Sequence, residues 1–145
     1  MRIIVTDTQK KIKLNKKKIK LIALKTLQAL AQPEETQVAL SFVTRYRIKK
    51  VNSKYFCKDR VTDVIALGYD DSMASNIHEG YLGDILVCPS VADVNARLYG
   101  STFFTELSLY IIHGMLHLLG YDDTSSKAEL KMRKKEQEIL KRICG

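Results

Sequence analysis

The sequence predicts an α+β fold, in which a small mixed β-sheet of about four strands is covered by about five helices. The chain has 145 residues, of which 46% are hydrophobic and only two are prolines, a size typical of one domain that buries roughly two thirds of its unfolded surface. Strand and helix patterns follow one another without the strict alternation of a doubly wound sheet. No repeat, low-complexity segment or linker interrupts them. A single domain covering residues 1–145 is therefore expected.

The first elements are a strand and a helix. The β-branched segment RIIVT, residues 2–6, predicts an opening strand. Residues 14–32 predict a helix that ends before Pro33. Its apolar side chains recur at helical spacing, at Leu14, Ile19, Ile22, Ala23, Leu27 and Leu30.

Three further strands and four further helices follow. Apolar residues alternate in TQVALSFVT, residues 36–44, as they do in a strand. The β-branched segments VTDVIAL and YLGDILVCP, residues 61–67 and 81–89, are bounded by glycine and proline and predict two more strands. Helices are predicted at residues 45–53, 90–98, 102–119 and 125–143.

Charge is distributed unevenly along the chain, which carries 24 lysines and arginines, 16 acids and a formal net charge of +8. Residues 8–58 hold fourteen basic residues against two glutamates, whereas residues 59–123 hold ten acids against two arginines. Basic flanks around an acidic centre indicate a polyanion bound at one surface and a cation at another. The run KKIKLNKKKIK is equally typical of a solvated helix face, and both interpretations stay open.

Two classes of protein are disfavoured. No apolar stretch reaches the roughly 18 residues that span a bilayer, and MRIIVTDTQK lacks the apolar centre of a signal peptide, so a cytoplasmic protein without a membrane partner is expected. The three cysteines lie far apart without a CxxC pair, which argues against a disulfide framework and a thiolate zinc site.

The segment IIHGMLHLLGYDD, residues 111–123, carries two of the three histidines. Residues four apart on a helix differ in direction by roughly 40°, so His113 and His117 lie on one face and can share an ion. Gly120 can end the helix in a left-handed conformation, after which Asp122 or Asp123 can turn back as a third ligand. Three protein ligands leave a position open for water, as at catalytic zinc.

A core position is the alternative for two histidines in so apolar a run. Both imidazoles would then need partners, because an unsatisfied buried polar group costs roughly 1–3 kcal/mol. Gly114 between them costs about 1 kcal/mol against alanine unless something approaches the backbone closely. A metal pocket would explain both features. The HExxH metalloproteases are excluded, because glycine and not glutamate follows the first histidine.

The segment HGMLHLLGYDD resembles the signature of the YbeY family of bacterial rRNA-maturation endoribonucleases, His-Gly-any-Leu-His-Leu-any-Gly-Tyr-Asp-His, and is compatible with it at ten of eleven places. The segments VNSKY, KDRVTDVIAL and LGDILVCPSVA match in the same order. The resemblance implies the family's single α+β domain and one zinc ion per monomer, bound by His113 and His117. It also implies a metal-dependent endoribonuclease for single-stranded RNA, acting on the 3′ end of 16S rRNA in the small ribosomal subunit and in ribosome assembly and quality control.

The third histidine of the signature falls on Asp123. Aspartate binds zinc at about 2.0–2.2 Å, so a site of His113, His117 and Asp123 is expected. Its added negative charge would favour iron or manganese more than three histidines do. Asp122 is expected either to orient a ligand histidine or to shape the turn that follows the helix.

The resemblance also implies an arginine in the active cleft near the segment KYFCKD, where this sequence has Phe56. Lys54, Lys58 and Arg60 are the candidate cations that bind substrate in its place, although lysine lacks the bidentate fork of arginine. Beyond the metal-bound water, Lys58 and Arg60 are also the candidates for catalysis. Two rival functions stay open: an rRNA-binding ribosome-assembly factor with a structural metal and no catalysis, and a metallohydrolase acting on another substrate.

Overall fold

In the residues that it describes, 1–69 and 79–144, the computed structural model contains four strands and five helices. The strands are β1 (Arg2–Asp7), β2 (Gln37–Phe42), β3 (Val64–Gly68) and β4 (Tyr81–Val87). The helices are α1 (Lys16–Ala29), α2 (Arg45–Phe56), α3 (Pro89–Tyr99), α4 (Phe103–Leu118) and α5 (Ser126–Cys144). The predicted α+β class is confirmed.

Capping residues set helix boundaries that apolar spacing alone does not give. Helix α1 begins at Lys16, two residues later than predicted, because the side chain of Asn15 accepts a hydrogen bond from the backbone of Lys18 and caps the helix. Helix α2 continues to Phe56, three residues beyond its predicted end, and stops where Cys57 adopts a left-handed conformation.

The four strands form one mixed sheet in the order β1-β2-β4-β3. Strands β1, β2 and β4 run parallel, and β3 pairs with β4 antiparallel. Strand β3 therefore lies at an edge of the sheet.

Helices cover both faces of the sheet. On one face, α1 and α4 pack against β2 and β4, where Leu40 and Ile85 are fully buried. On the other face, α2 packs through Ile48 and Val51 against a cluster that includes Leu86. Neighbouring residues of β4 point to opposite faces of the sheet, so Ile85 packs in the layer with α1 and α4, and Leu86 packs in the layer with α2. Helix α5 packs on the outer side of α4.

No helix in the described part of the chain is long and apolar enough to cross a membrane.

Candidate metal centre

Helix α4 carries the two histidines to the β3 edge of the sheet. Its first turn is capped by Thr102, whose hydroxyl accepts a hydrogen bond from the backbone of Thr105 at 3.1 Å. One helical turn separates His113 from His117, and their Nε2 atoms lie 3.0 Å apart. The two rings meet edge to face with centroids 4.5 Å apart. Both imidazoles thus present a nitrogen to the same point.

The close approach to the backbone at Gly114 comes from strand β4. A Cβ atom there would lie 2.6 Å from Cγ2 of Ile85, so the backbone of α4 is approached by a side chain of β4. Packing against Ile85 therefore accounts for this glycine, which also lines the cleft beside the two histidines. Glycine lets α4 sit close to the sheet, and this packing fixes the height of the histidines above β3.

The chain turns back after α4 and brings an acid to the histidines. Gly120 has a φ of 97°, and the backbone of Tyr121 donates to the carbonyl of Leu116 at 3.0 Å, which closes the helix end. Oδ2 of Asp123 lies 3.9 Å from Nε2 of His117. One ligand atom from each of His113, His117 and Asp123 lies within 4.8 Å of the others.

Asp122 lies in the turn itself. Its Oδ1 accepts hydrogen bonds from the backbone and hydroxyl of Thr124, at 3.2 and 2.9 Å. The hydroxyl bond and then the backbone bond lower the pKa of the Asp122 carboxyl. Of the two aspartates left open by the sequence, Asp123 is the one grouped with the histidines, and Asp122 shapes the turn.

A residue that sequence reasoning missed completes the group. Nδ1 of His113 is hydrogen-bonded to Oε1 of Glu136, a mostly buried carboxylate of α5. This bond occupies Nδ1 and leaves Nε2 directed at His117. The available signal was spacing, because Glu136 lies four residues after Met132 and three before Ile139, both buried, and so shares the inward face of α5.

The two histidines are shifted in opposite directions. Burial favours the neutral form of His113, but the hydrogen bond and negative charge of Glu136 outweigh it and raise the pKa of His113. Burial first, and then the neighbouring His113, lower the pKa of His117. His117 is therefore held toward the neutral form, in which an imidazole nitrogen can bind a metal.

These donors fit a divalent ion. Two imidazole nitrogens and one carboxylate oxygen are a ligand set of catalytic zinc, and also of non-haem iron. A carboxylate that receives the other ring proton of a ligand histidine is a common partner at such sites. The side chains of His113 and His117 are 29% and 28% exposed, so the group opens toward solvent and is not closed as structural zinc sites are.

The metal group faces a cleft of about 440 Å³ along β3. The end of α2 and the loop after it also line this cleft, through Phe56, Lys58 and Arg60. Buried Asn52 holds this loop, because its side-chain amide donates to the carbonyl of Arg60 at 3.1 Å. Lys58 and Arg60 thus share the cleft with the histidines.

Lys54 lies elsewhere. It lines a groove on the outer side of α2, and its Nζ is 5.3 Å from the ring centroid of Tyr55. The structure therefore separates the three cations that the sequence grouped as substrate-binding candidates. Phe56 is 47% exposed and lines the cleft itself.

Replacing Glu136 with glutamine is expected to weaken binding of a divalent ion by about 10- to 100-fold, because the neutral amide holds His113 less firmly and makes it a poorer ligand. Zinc affinity is measured by competition with a fluorescent chelator. Glu138→Gln is the matched control, since Glu138 lies on the exposed side of the same helix and contacts Lys135. Equal zinc affinity in Glu136→Gln and the unaltered protein would contradict this role.

Comparison with known proteins gives consistent matches. A sequence model of the family described as Endoribonuclease YbeY matches residues 4–144. The Endoribonuclease YbeY of Finegoldia magna is 40% identical over 107 residues, which are 74% of this chain and 69% of that protein. That of Macrococcus caseolyticus is 42% identical over 111 residues, 74% of this chain and 71% of that protein.

A solved structure also matches. The solution structure of a Thermotoga maritima protein superposes with a TM-score of 0.65 and 28% sequence identity. The match covers 99% of this chain and 89% of that chain.

Proposed function

Because this chain belongs to the YbeY family of endoribonucleases, we propose that it is a metal-dependent hydrolase that cleaves phosphodiester bonds of single-stranded RNA. Residues 1–145 act as one catalytic domain. His113, His117 and Asp123 hold one ion per monomer, and zinc is the ion that we assign. The physiological substrate is 16S rRNA, cut near its 3′ end during maturation of the small ribosomal subunit. The enzyme serves ribosome assembly and quality control in the cytoplasm.

One observation carries the proposal. The candidate ligands and two cations, Lys58 and Arg60, line the same cleft. Cleavage of a phosphodiester requires that negative charge be stabilised where it develops, and a partly exposed metal group that shares its cleft with two cations provides this arrangement. A purely structural metal, which would only stabilise the packing of α4 on α5, would not require two cations in the same open cleft.

The residues that line the cleft and support the metal group have different roles in the proposed reaction. Lys58 and Arg60 bind the nonbridging oxygens of the scissile phosphate and offset charge developing on them, and the guanidinium can do so with two parallel hydrogen bonds. Asn52 fixes the loop that presents Arg60. Glu136 keeps Nδ1 of His113 occupied, so that Nε2 faces Asp123 and His117. A divalent ion bound there would supply Lewis-acid stabilisation of the phosphate and a more acidic water.

The carboxylate of Asp123 distinguishes this site from the three-histidine signature of the family. It adds a negative charge beside the ion, which offsets part of the ion's positive charge and makes iron and manganese better competitors for the site. Elemental analysis of protein purified without added metal tests the assignment of zinc. A stoichiometric content of iron or manganese, with little zinc, would overturn it.

The proposed activity is tested by incubating the purified protein with an rRNA fragment that carries the 3′ end of 16S rRNA and its flanking sequence. We expect cleavage within unpaired nucleotides, loss of cleavage on chelation, and recovery when zinc is restored. A fragment whose cleavage region is annealed to a complementary strand is the control. Binding of the fragment without chelator-sensitive cleavage would favour the assembly-factor function instead.

A further inference from the structure

A second basic surface lies on the outward side of α2. Tyr46, Lys50 and Lys54 recur at intervals of four residues, on the side opposite to buried Ile48 and Val51. They line a groove of about 560 Å³, which we call the α2 groove and define by Tyr46, Arg47, Lys49, Lys50, Lys54 and Tyr55. None of these six residues lines the metal cleft.

The α2 groove combines one exposed ring, that of Tyr46, and one partly buried ring, that of Tyr55, with ammonium groups. Tyr46 is 69% exposed, and Nζ of Lys50 lies 4.9 Å from its ring centroid. Nζ of Lys54 is 5.3 Å from the ring centroid of Tyr55. A single exposed aromatic residue needs no explanation by itself, but here the exposed ring of Tyr46 has a lysine beside it, and a second lysine–tyrosine pair follows on the same helix.

The charge of this surface is strongly one-sided. From Thr44 to Lys58 the sequence contains no acid. Among the described residues that line the α2 groove, Asp59 is the single acid, and it lies 3.9 Å from Lys49. The surface therefore complements a polyanion, and the exposed ring of Tyr46 offers the stacking contact by which proteins hold unpaired bases.

The α2 groove also leads toward the metal cleft. Tyr46 precedes Phe56, which lines that cleft, by ten helical residues, or about 15 Å along the axis. Stacked nucleotides rise about 3.4 Å each, so this length accommodates roughly four of them. A strand that lies along α2 from Tyr46 thus reaches the Phe56 end of the helix, which lines the metal cleft.

We propose that the α2 groove binds the unpaired RNA strand several nucleotides from the scissile phosphate. Tyr46 stacks on a base, and Lys50 and Lys54 contact adjacent phosphates. This assignment rests on the proposed function, because it takes RNA as the substrate of the cleft. It gives Lys54 a role in substrate binding that is remote from the chemistry.

The experiment measures binding of a fluorescent oligoadenylate by anisotropy, with chelator present so that the strand is not cut. We expect Tyr46→Ala to weaken binding by roughly fivefold to a hundredfold, the range found when a stacking ring is removed. Tyr46→Phe keeps the ring and is expected to bind normally. Lys50→Ala should lower the dependence of affinity on salt by about 0.7 in log–log slope, as one lost phosphate contact does.

Tyr99→Ala is the matched control, since Tyr99 is 75% exposed on α3 and does not line the α2 groove. The Tyr46 and Tyr99 side chains are both exposed, so neither variant should change thermal unfolding. A second probe is the same strand annealed to oligouridylate, whose bases are already stacked. Tyr46→Ala should leave affinity for this duplex unchanged, because a duplex offers the groove only its phosphates.

Equal losses in Tyr46→Ala and Tyr99→Ala, or no loss in Tyr46→Ala, would overturn the assignment. Tighter binding of a polyglutamate peptide than of oligoadenylate would also overturn it, because this result would indicate that the groove binds an acidic protein segment. The proposed function fails separately, by absence of chelator-sensitive cleavage in the unaltered protein. If the unaltered protein cleaves RNA and Tyr46→Ala cleaves it equally well at low RNA concentration, the α2 groove does not bind the substrate, but the proposed enzymatic function still holds.

Discussion

Replacing either His113 or His117 with alanine is expected to remove the bound ion and, with it, RNA cleavage. Each variant loses one of three protein ligands, and two ligands should hold a divalent ion far less tightly, by more than the roughly 10- to 100-fold that loss of an outer partner causes. Elemental analysis should show metal content falling from about one ion per chain to near zero. Cleavage should fall to the level seen with chelator. Unchanged metal content in both variants would place the ion elsewhere.

A pair of adjacent variants tests the third ligand. Asp123→Asn should weaken metal binding, whereas Asp122→Asn should retain it, because Asp122 is engaged with Thr124 in the turn. The two substitutions remove the same charge one residue apart, so a general electrostatic effect would appear in both. Asp123→His should also retain zinc, since it restores a neutral imidazole ligand at that place. If Asp122→Asn weakened metal binding and Asp123→Asn did not, Asp122 would be the third ligand.

Replacing Lys58 and Arg60 together with alanine is expected to lower kcat for RNA cleavage on the order of 100-fold, with a smaller effect on RNA affinity. The reason is that charge on the phosphate grows in the transition state, so cations that meet it there contribute more to rate than to binding. Single-turnover cleavage and anisotropy, measured on the same RNA, separate the two quantities. If RNA affinity fell by the same factor as the cleavage rate, Lys58 and Arg60 would contact the phosphate equally in the bound state and in the transition state, which would contradict this role.

The control for this double variant is Lys16→Ala with Lys17→Ala, which removes the same charge from the exposed start of α1. It should leave kcat unchanged. The converse change, Phe56→Arg, adds a bidentate cation to the cleft wall and is expected to raise kcat while metal content stays constant. A fall in kcat on adding this arginine would indicate that the aromatic ring of Phe56 itself contributes to the cleft.

Much of this molecule follows from local patterns in the sequence. Apolar residues at helical or alternating spacing, bounded by proline and glycine, predicted all nine elements of the described chain, and with them the α+β class. The spacing of His113 and His117 sufficed to place both on one face of α4, because helix geometry relates residues four apart wherever the helix lies. The exact ends of α1 and α2 required the cap at Asn15 and the left-handed Cys57, which spacing does not reveal.

Choices between neighbouring candidates needed the tertiary structure. Asp122 and Asp123 are both plausible from the sequence, and the fold assigns one to the turn and the other to the histidines. Lys54 and Lys58 are only four residues apart, yet α2 ends between them, at Cys57. Lys54 therefore lines the α2 groove, whereas Lys58 lines the metal cleft. In each case local spacing places a turn near the right residue, but which neighbouring side chain lines the site depends on how that turn packs in the fold.

The sequence by itself determined the elements, the pair of histidines on one helix face and the acid-bearing turn after them, since all of these depend on residues close together in the chain. The tertiary structure alone decided that β3 lies at the sheet edge, that Ile85 packs on Gly114, and that Glu136 reaches His113 from 23 residues away. The physical reason is that burial of apolar surface is non-directional. Apolar periodicity shows that a helix has an inward face, but which partner meets that face is set by packing the whole core at once.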